Sequence, residues 1–189
     1  MPKTRRGREG ILEAAAALFY KHGYKATGVE AIAKAAGVTK ATIYHHFSNK
    51  DALIEAVLVH LSEFHKAGYI NAWNKKGLKP TQRLTILFEE MSEFFKDKEC
   101  YGCPFINAAG EYTDRDSPVR KICEAHYQFI ITHLEQFARD AKLKSPRLVA
   151  EQIASVIAGC YTGWFVANIK DSAKQGKAIA EMVIEAHQP

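Results

Sequence analysis

An all-α chain of about nine helices is predicted, with residues 1–50 forming a three-helix N-terminal domain around a helix-turn-helix and residues 51–189 a larger helical bundle. Three observations predict it. Apolar residues recur at helical spacing along nearly the whole chain, no alternating strand pattern of useful length appears, and two short helical patterns flank a tight turn at Gly37. No internal repeat is visible.

Ahead of the two patterns that flank Gly37 stands Ile11-Leu12-Glu13-Ala14-Ala15 with Leu18 and Phe19. Thr27 followed by Glu30 has capping-box spacing, which would satisfy two orphan N–H groups at the start of the second helix. Val29, Ile32, Ala33 and Ala36 give that helix one apolar side. Gly37 follows, placed to take the left-handed conformation that ends a helix. Thr39 offers a cap for a third helix whose Ile43 and Phe47 point inward, leaving Lys40, Ala41, Thr42, Tyr44 and His45 on an outer face without an acid. This layout is that of a DNA reader.

Charge points the same way. Residues 1–50 hold nine Lys or Arg against three Glu, a surplus of six, whereas the other 139 residues hold 17 basic and 18 acidic groups. The whole net charge of +5 therefore lies with the motif, where it can neutralise phosphates and release counterions. Arg5, Arg6 and Arg8 form a basic arm able to follow the DNA backbone or enter the minor groove.

From Ile11 to Val57 the chain resembles the TetR family of bacterial transcriptional regulators: Gly23-Tyr24-x-Ala26-Thr27, Ile32-Ala33-x-Ala35-Ala36-Gly37-Val38 and Thr42-Ile43-Tyr44-His45-His46-Phe47-x-x-Lys50-Asp51-x-Leu53 carry the resemblance. Gly28 stands where that family usually has Ser or Thr, and Ala41 where Gly is frequent. The resemblance implies a recognition helix with Thr39, Lys40, Ala41, Thr42, Tyr44 and His45 in the major groove, and Thr27 and Lys50 on phosphates. Lys50 opens the next helix, whose dipole also favours an anion.

Beyond Asp51, Leu53, Val57, Leu61 and Phe64 mark a connecting helix. Residues 71–80 read as a loop before a helix with Leu84, Leu87, Phe88, Met91, Phe94 and Phe95; a short apolar turn over 104–110 follows a break at 96–102. Pro118 suits the first turn of a long helix with Val119, Ile122, His126, Phe129, Ile130, Leu134 and Phe137 inside. Two more helices fit 147–169 and 172–187. The first carries apolar groups on several sides, with Ala158, Gly159 and Gly163 allowing close approach; Ile179, Met182, Val183 and Ala186 stripe the second. The resemblance implies that these two helices pair a homodimer, which would read two half-sites about 34–36 Å apart, or a multiple.

The resemblance further implies a repressor of double-stranded, roughly palindromic operator DNA, released when a small-molecule effector binds the C-terminal domain. Large or polar side chains on inner faces nominate its contacts: Phe88, Met91, Phe95, Cys103, Phe105, Asn107, Tyr112, His126, Phe129, Tyr161, Trp164 and Phe165. Their aromatic content suggests an apolar or aromatic effector. Cys103 also resembles a cysteine in a subset of these regulators where a Gly-Cys pair precedes a short helix, which gives an alternative of thiol-based electrophile or oxidant sensing.

No other chemistry competes strongly. Cys103 with His126 is the one conceivable catalytic pair, and no acyl-transfer or phosphate-binding signature accompanies it, so no enzyme is expected. Cys100-Tyr-Gly-Cys103 lacks a second pair, and neither a metal nor a cofactor is expected. Without an apolar span or signal core the chain is expected in the cytoplasm, away from the membrane, with reduced thiols.

Overall fold

The structure is a computed structural model and describes residues 7–189, so Arg5 and Arg6 lie outside the described residues. Among these it has nine helices and no strand: α1 (Arg8–His22), α2 (Val29–Ala36), α3 (Lys40–His46), α4 (Lys50–Trp73), α5 (Pro80–Phe94), α6 (Pro104–Glu111), α7 (Pro118–Asp140), α8 (Pro146–Phe165) and α9 (Ser172–Ala186). Four helices, α5 to α8, open on a proline. The first helical position has no N–H obligation, and the ring presets φ for the turn that follows. No helix among the described residues is long and apolar enough to cross a membrane.

The described chain gathers into two compact units. The first comprises residues 7–64 with Pro104–Glu124, the second His65–Cys103 with Ala125–Pro189. In the first, Ile11, Ala15 and Phe19 of α1, Ile32 and Ala36 of α2, and Ile43 of α3 are fully or almost fully buried. Leu53, Ile54, Val57 and Leu58 of α4 have no exposed surface at all, so the fourth helix belongs to this core along its first two turns. Phe105 and Ala108 bury α6 in the same unit.

Gly37 has φ 66° and ψ 32°, the left-handed conformation, and Val38 and Gly37 donate back to the carbonyls of Ala33 at 3.0 Å and Lys34 at 3.3 Å. This is Schellman geometry, and it stops α2 where α3 must turn away. Thr39 then caps α3, accepting from the Thr42 N–H at 3.0 Å.

The capping box expected of Thr27 and Glu30 does not form. α2 starts one residue later than that pattern requires, with Gly28 at the cap and no side-chain hydrogen bond to it. Thr27 is buried, and its hydroxyl donates to the Gly23 carbonyl at 2.6 Å and towards that of Leu18 at 3.3 Å. It satisfies carbonyls at the end of α1 in preference to an N–H of α2. Arg8 is likewise the first residue of α1 and not part of an arm; its guanidinium lies 5.2 Å from the Phe47 ring centre.

In the second unit, α9 packs against α8 and α5. A Cβ on Gly176 would fall 2.2 Å from Cys160 Sγ and 3.0 Å from Phe88 Cε1, so only a glycine permits this approach. Across it, Ser172 Oγ donates to the Cys160 carbonyl at 2.9 Å and Cys160 Sγ donates to the Ser172 carbonyl at 3.2 Å. Trp73 closes the other side of this core, stacked on His133 with ring centres 4.9 Å apart.

Candidate DNA interface and effector cavity

Helix α3 presents one continuous polar face. Ala41, Tyr44 and His45 are exposed, Tyr44 by 43%, while Ile43 is buried beneath them. The Thr39 and Thr42 hydroxyls lie 2.8 Å apart, so one donates to the other and both retain capacity for a partner in solvent. Lys40 lies with its ammonium 5.9 Å from the Tyr44 ring centre.

The face is not acid-free in space. The Lys40 ammonium pairs with the Glu30 carboxylate of α2, both exposed. The contact holds the Glu30 carboxyl below the usual carboxylate range and the Lys40 ammonium above its own. Sequence spacing on α3 alone hid this partner, which arrives across the turn.

Lys50 sits at the start of α4, and its ammonium donates to the Lys25 carbonyl at 2.7 Å. Its neighbourhood is held by α6. The Glu111 carboxylate accepts the N–H groups of Tyr24 at 2.8 Å and Lys25 at 2.7 Å, one oxygen for each. Tyr24 returns a bond from its hydroxyl to the Pro104 carbonyl at 3.0 Å, and the Tyr112 hydroxyl donates to Asp51 Oδ1 at 2.7 Å. Burial and that carboxylate push the Tyr112 hydroxyl well above the usual phenol range. The turn after α1 and the start of α4 are thus tied to one short helix.

The second unit contains a cavity of about 210 Å³. α4 contributes His65 and Tyr69, α5 contributes Leu87, Glu90, Met91 and Phe94, and Cys103 adds its thiol. α7 supplies His126, Tyr127 and Ile130, and α8 supplies Ile157 and Tyr161. The rings of His65, Tyr69 and His126 meet in one cluster, with centres 5.9–6.1 Å apart. Burial lowers both imidazoles. His126, with His65 and Lys66 adding to the effect, is pulled down to about 3. Burial first, and Cys103 second, raise the Tyr69 hydroxyl.

Of the side chains nominated from sequence for an effector, Met91, Cys103, His126 and Tyr161 meet in this cavity. Phe88, Phe95 and Trp164 face a separate groove with Lys174 and Lys177, where Phe95 and Trp164 stack at 5.0 Å. Phe105, Asn107 and Tyr112 belong to the first unit, and Phe129 lies against Trp73 and His133. Phe165 is 51% exposed at the end of α8, its ring centre 6.4 Å from that of Trp164. His65 and Tyr69 were missed; their i, i+4 spacing on α4, beside the apolar stripe, was the available signal. Cys103 is buried, its Sγ 3.8 Å from the Tyr127 hydroxyl. Among the described residues no group of three or more His, Cys, Asp or Glu could hold a metal ion.

A helix-turn-helix on a capped turn, with the polar face of its second helix exposed, defines the class of helix-turn-helix transcriptional regulators. Residues 11–57 match the pattern described as bacterial regulatory proteins, tetR family, and residues 80–179 match the tetracyclin repressor-like C-terminal domain. The chain belongs to the tetR family of bacterial regulatory proteins. It is 48% identical over 58 residues to the HTH-type transcriptional regulator TtgR of Pseudomonas putida, a match covering 31% of this chain and 28% of that relative. It is 21% identical over 182 residues to the HTH-type transcriptional regulator YjdC of Escherichia coli, covering 94% and 93%. A TetR-family transcriptional regulator from Streptomyces coelicolor has the same fold, with a TM-score of 0.85 at 22% identity over 95% of this chain and 94% of that one.

Proposed function

We propose that the chain is a sequence-specific, cytoplasmic DNA-binding repressor, homodimeric through α8 and α9, that leaves its operator when a small molecule enters the cavity of the second unit. The observation that carries this reading is the exposed face of α3, where Thr39, Lys40, Ala41, Thr42, Tyr44 and His45 stand clear of the core beyond a fixed turn. In this reading residues 1–50 are the DNA-binding part and 51–189 the effector-binding and dimerisation part. Thr42, Tyr44 and His45 reach base edges, and Lys50 stands beside a phosphate. Thr27 acts from beneath, since its buried hydroxyl is committed to the carbonyls of α1.

Supporting the dimer is the apolar surface left on the last two helices: Leu148, Phe165, Ile179 and Met182 are 47–65% exposed. Control needs only different ligand affinity in the two states, and a coupling of roughly 1–3 kcal/mol changes operator affinity by about five- to 150-fold. Selection of bound sequences from random duplex DNA tests the reading. A palindromic site should emerge, and Thr42→Ala or Tyr44→Ala should weaken binding to it more than to random DNA. Failure to enrich any sequence overturns the proposal, and equal losses on both DNAs move these side chains to the phosphates.

A further inference from the structure

The walls of the cavity in the second unit define a ligand chemistry. Its volume of about 210 Å³ lies somewhat above the roughly 150 Å³ of a cavity that holds benzene, so one ring with a few substituent atoms fits. Leu87, Met91, Ile130 and Ile157 make one part of the lining apolar. The remainder offers hydrogen-bonding groups: two imidazoles, the phenols of Tyr69, Tyr127 and Tyr161, and the Cys103 thiol. A neutral imidazole brings one donor and one acceptor, and a phenol can act as either.

Burial disfavours the imidazolium of His65 and of His126, and disfavours the phenolate of Tyr69. Glu90 is the charged member of the lining, and it is half exposed and paired with Lys75 at 2.7 Å. Lys66 is not part of the lining, and its ammonium lies 5.2 Å from the Phe129 ring centre. An anion entering this space would surrender its hydration and meet no opposite charge in the lining, and the carboxylate that a cation would meet is already paired with Lys75.

We propose that the cavity binds an uncharged single-ring aromatic molecule bearing a hydroxyl or carbonyl group, with the ring against Met91, Ile130 and Ile157 and the polar group against His126 and Tyr127. The inference rests on the reading of the chain as a ligand-controlled regulator, because it names the chemistry of that ligand.

Calorimetry on the full chain at neutral pH tests it, with p-cresol, toluene, 4-methylbenzoate and 4-methylbenzylamine as probes. p-Cresol should bind, toluene about tenfold more weakly for want of the hydrogen bond, and the two ions at least about thirtyfold more weakly. Ile157→Trp and Met91→Trp each fill the space and should remove p-cresol binding. Circular dichroism checks their folding, and either variant suffices if the other does not fold. Tighter binding of an ion, no binding of p-cresol, or p-cresol binding that survives the filled cavity overturns the proposal. Operator release is measured separately. Binding of p-cresol without release upholds the ligand class and counts against the effector reading, whereas release by a bound ion does the reverse.

Discussion

The ammonium of Lys40 and the carboxylate of Glu30 pair across the turn at Gly37, and each holds the other's charge away from a phosphate. Glu30→Gln should therefore tighten binding to any duplex at low salt and steepen the dependence of log K on log salt by about 0.9, the value of one added phosphate contact. Anisotropy titrations over a salt series measure this; an unchanged slope would show that Lys40 does not reach DNA. The buried His126 makes a second expectation at this scale. Its folded pKa of about 3 lies below the ordinary 6.5, so the unfolded chain takes up a proton first as pH falls. Stability is complete above about pH 6.5 and declines towards pH 3 by at most about 1.4 kcal/mol per pH unit from this group, with the lowered His65 acting in the same direction. Urea titrations between pH 7 and 4 should show the decline, and His126→Phe should flatten it. At this scale the sequence revealed which residues α3 exposes, because period and capping are local. It did not reveal the Glu30 partner or the turned-away Thr27 hydroxyl, both set by residues across a turn.

Among the elements, α8 and α9 are locked at Gly176. Gly176→Ala places a methyl 2.2 Å from the Cys160 sulfur, and overpacking of this kind should cost about 1–3 kcal/mol, read as a lower denaturation midpoint with an unchanged m-value. A midpoint equal to that of the parent would mean that the helices part easily. The same packing pushes the Cys160 thiol up to about 11, in keeping with its bond to the Ser172 carbonyl. Helix positions were legible here because proline and glycine punctuate the chain, with Pro80, Pro104, Pro118 and Pro146 each opening a helix. The continuation of α4 to Trp73 was not legible, since Asn71 and the lysines that follow read as loop while Trp73 is in fact buried against His133. Tertiary packing overrides a polar local pattern.

For the molecule as a whole, the family and the all-helical architecture were readable in local motifs, whereas the cavity was not. It is built from five separated stretches, and periodicity ranks every inward aromatic alike; Phe88 and Met91 share a stripe, yet only Met91 lines it. The apolar surface on α9 gives the expectation at this scale. Ile179→Glu together with Met182→Glu should shift the protein from dimer to monomer in light scattering and abolish tight operator binding. A double variant that stays dimeric would place the interface elsewhere. Finally, Glu111 has a consequence for synthesis. The carboxylate that caps the Tyr24 N–H leaves the ribosome 87 residues after it. At about 5–20 residues per second, roughly 4–17 s pass before these bonds can close, so the nascent DNA reader waits for α6 before its first turn is secured.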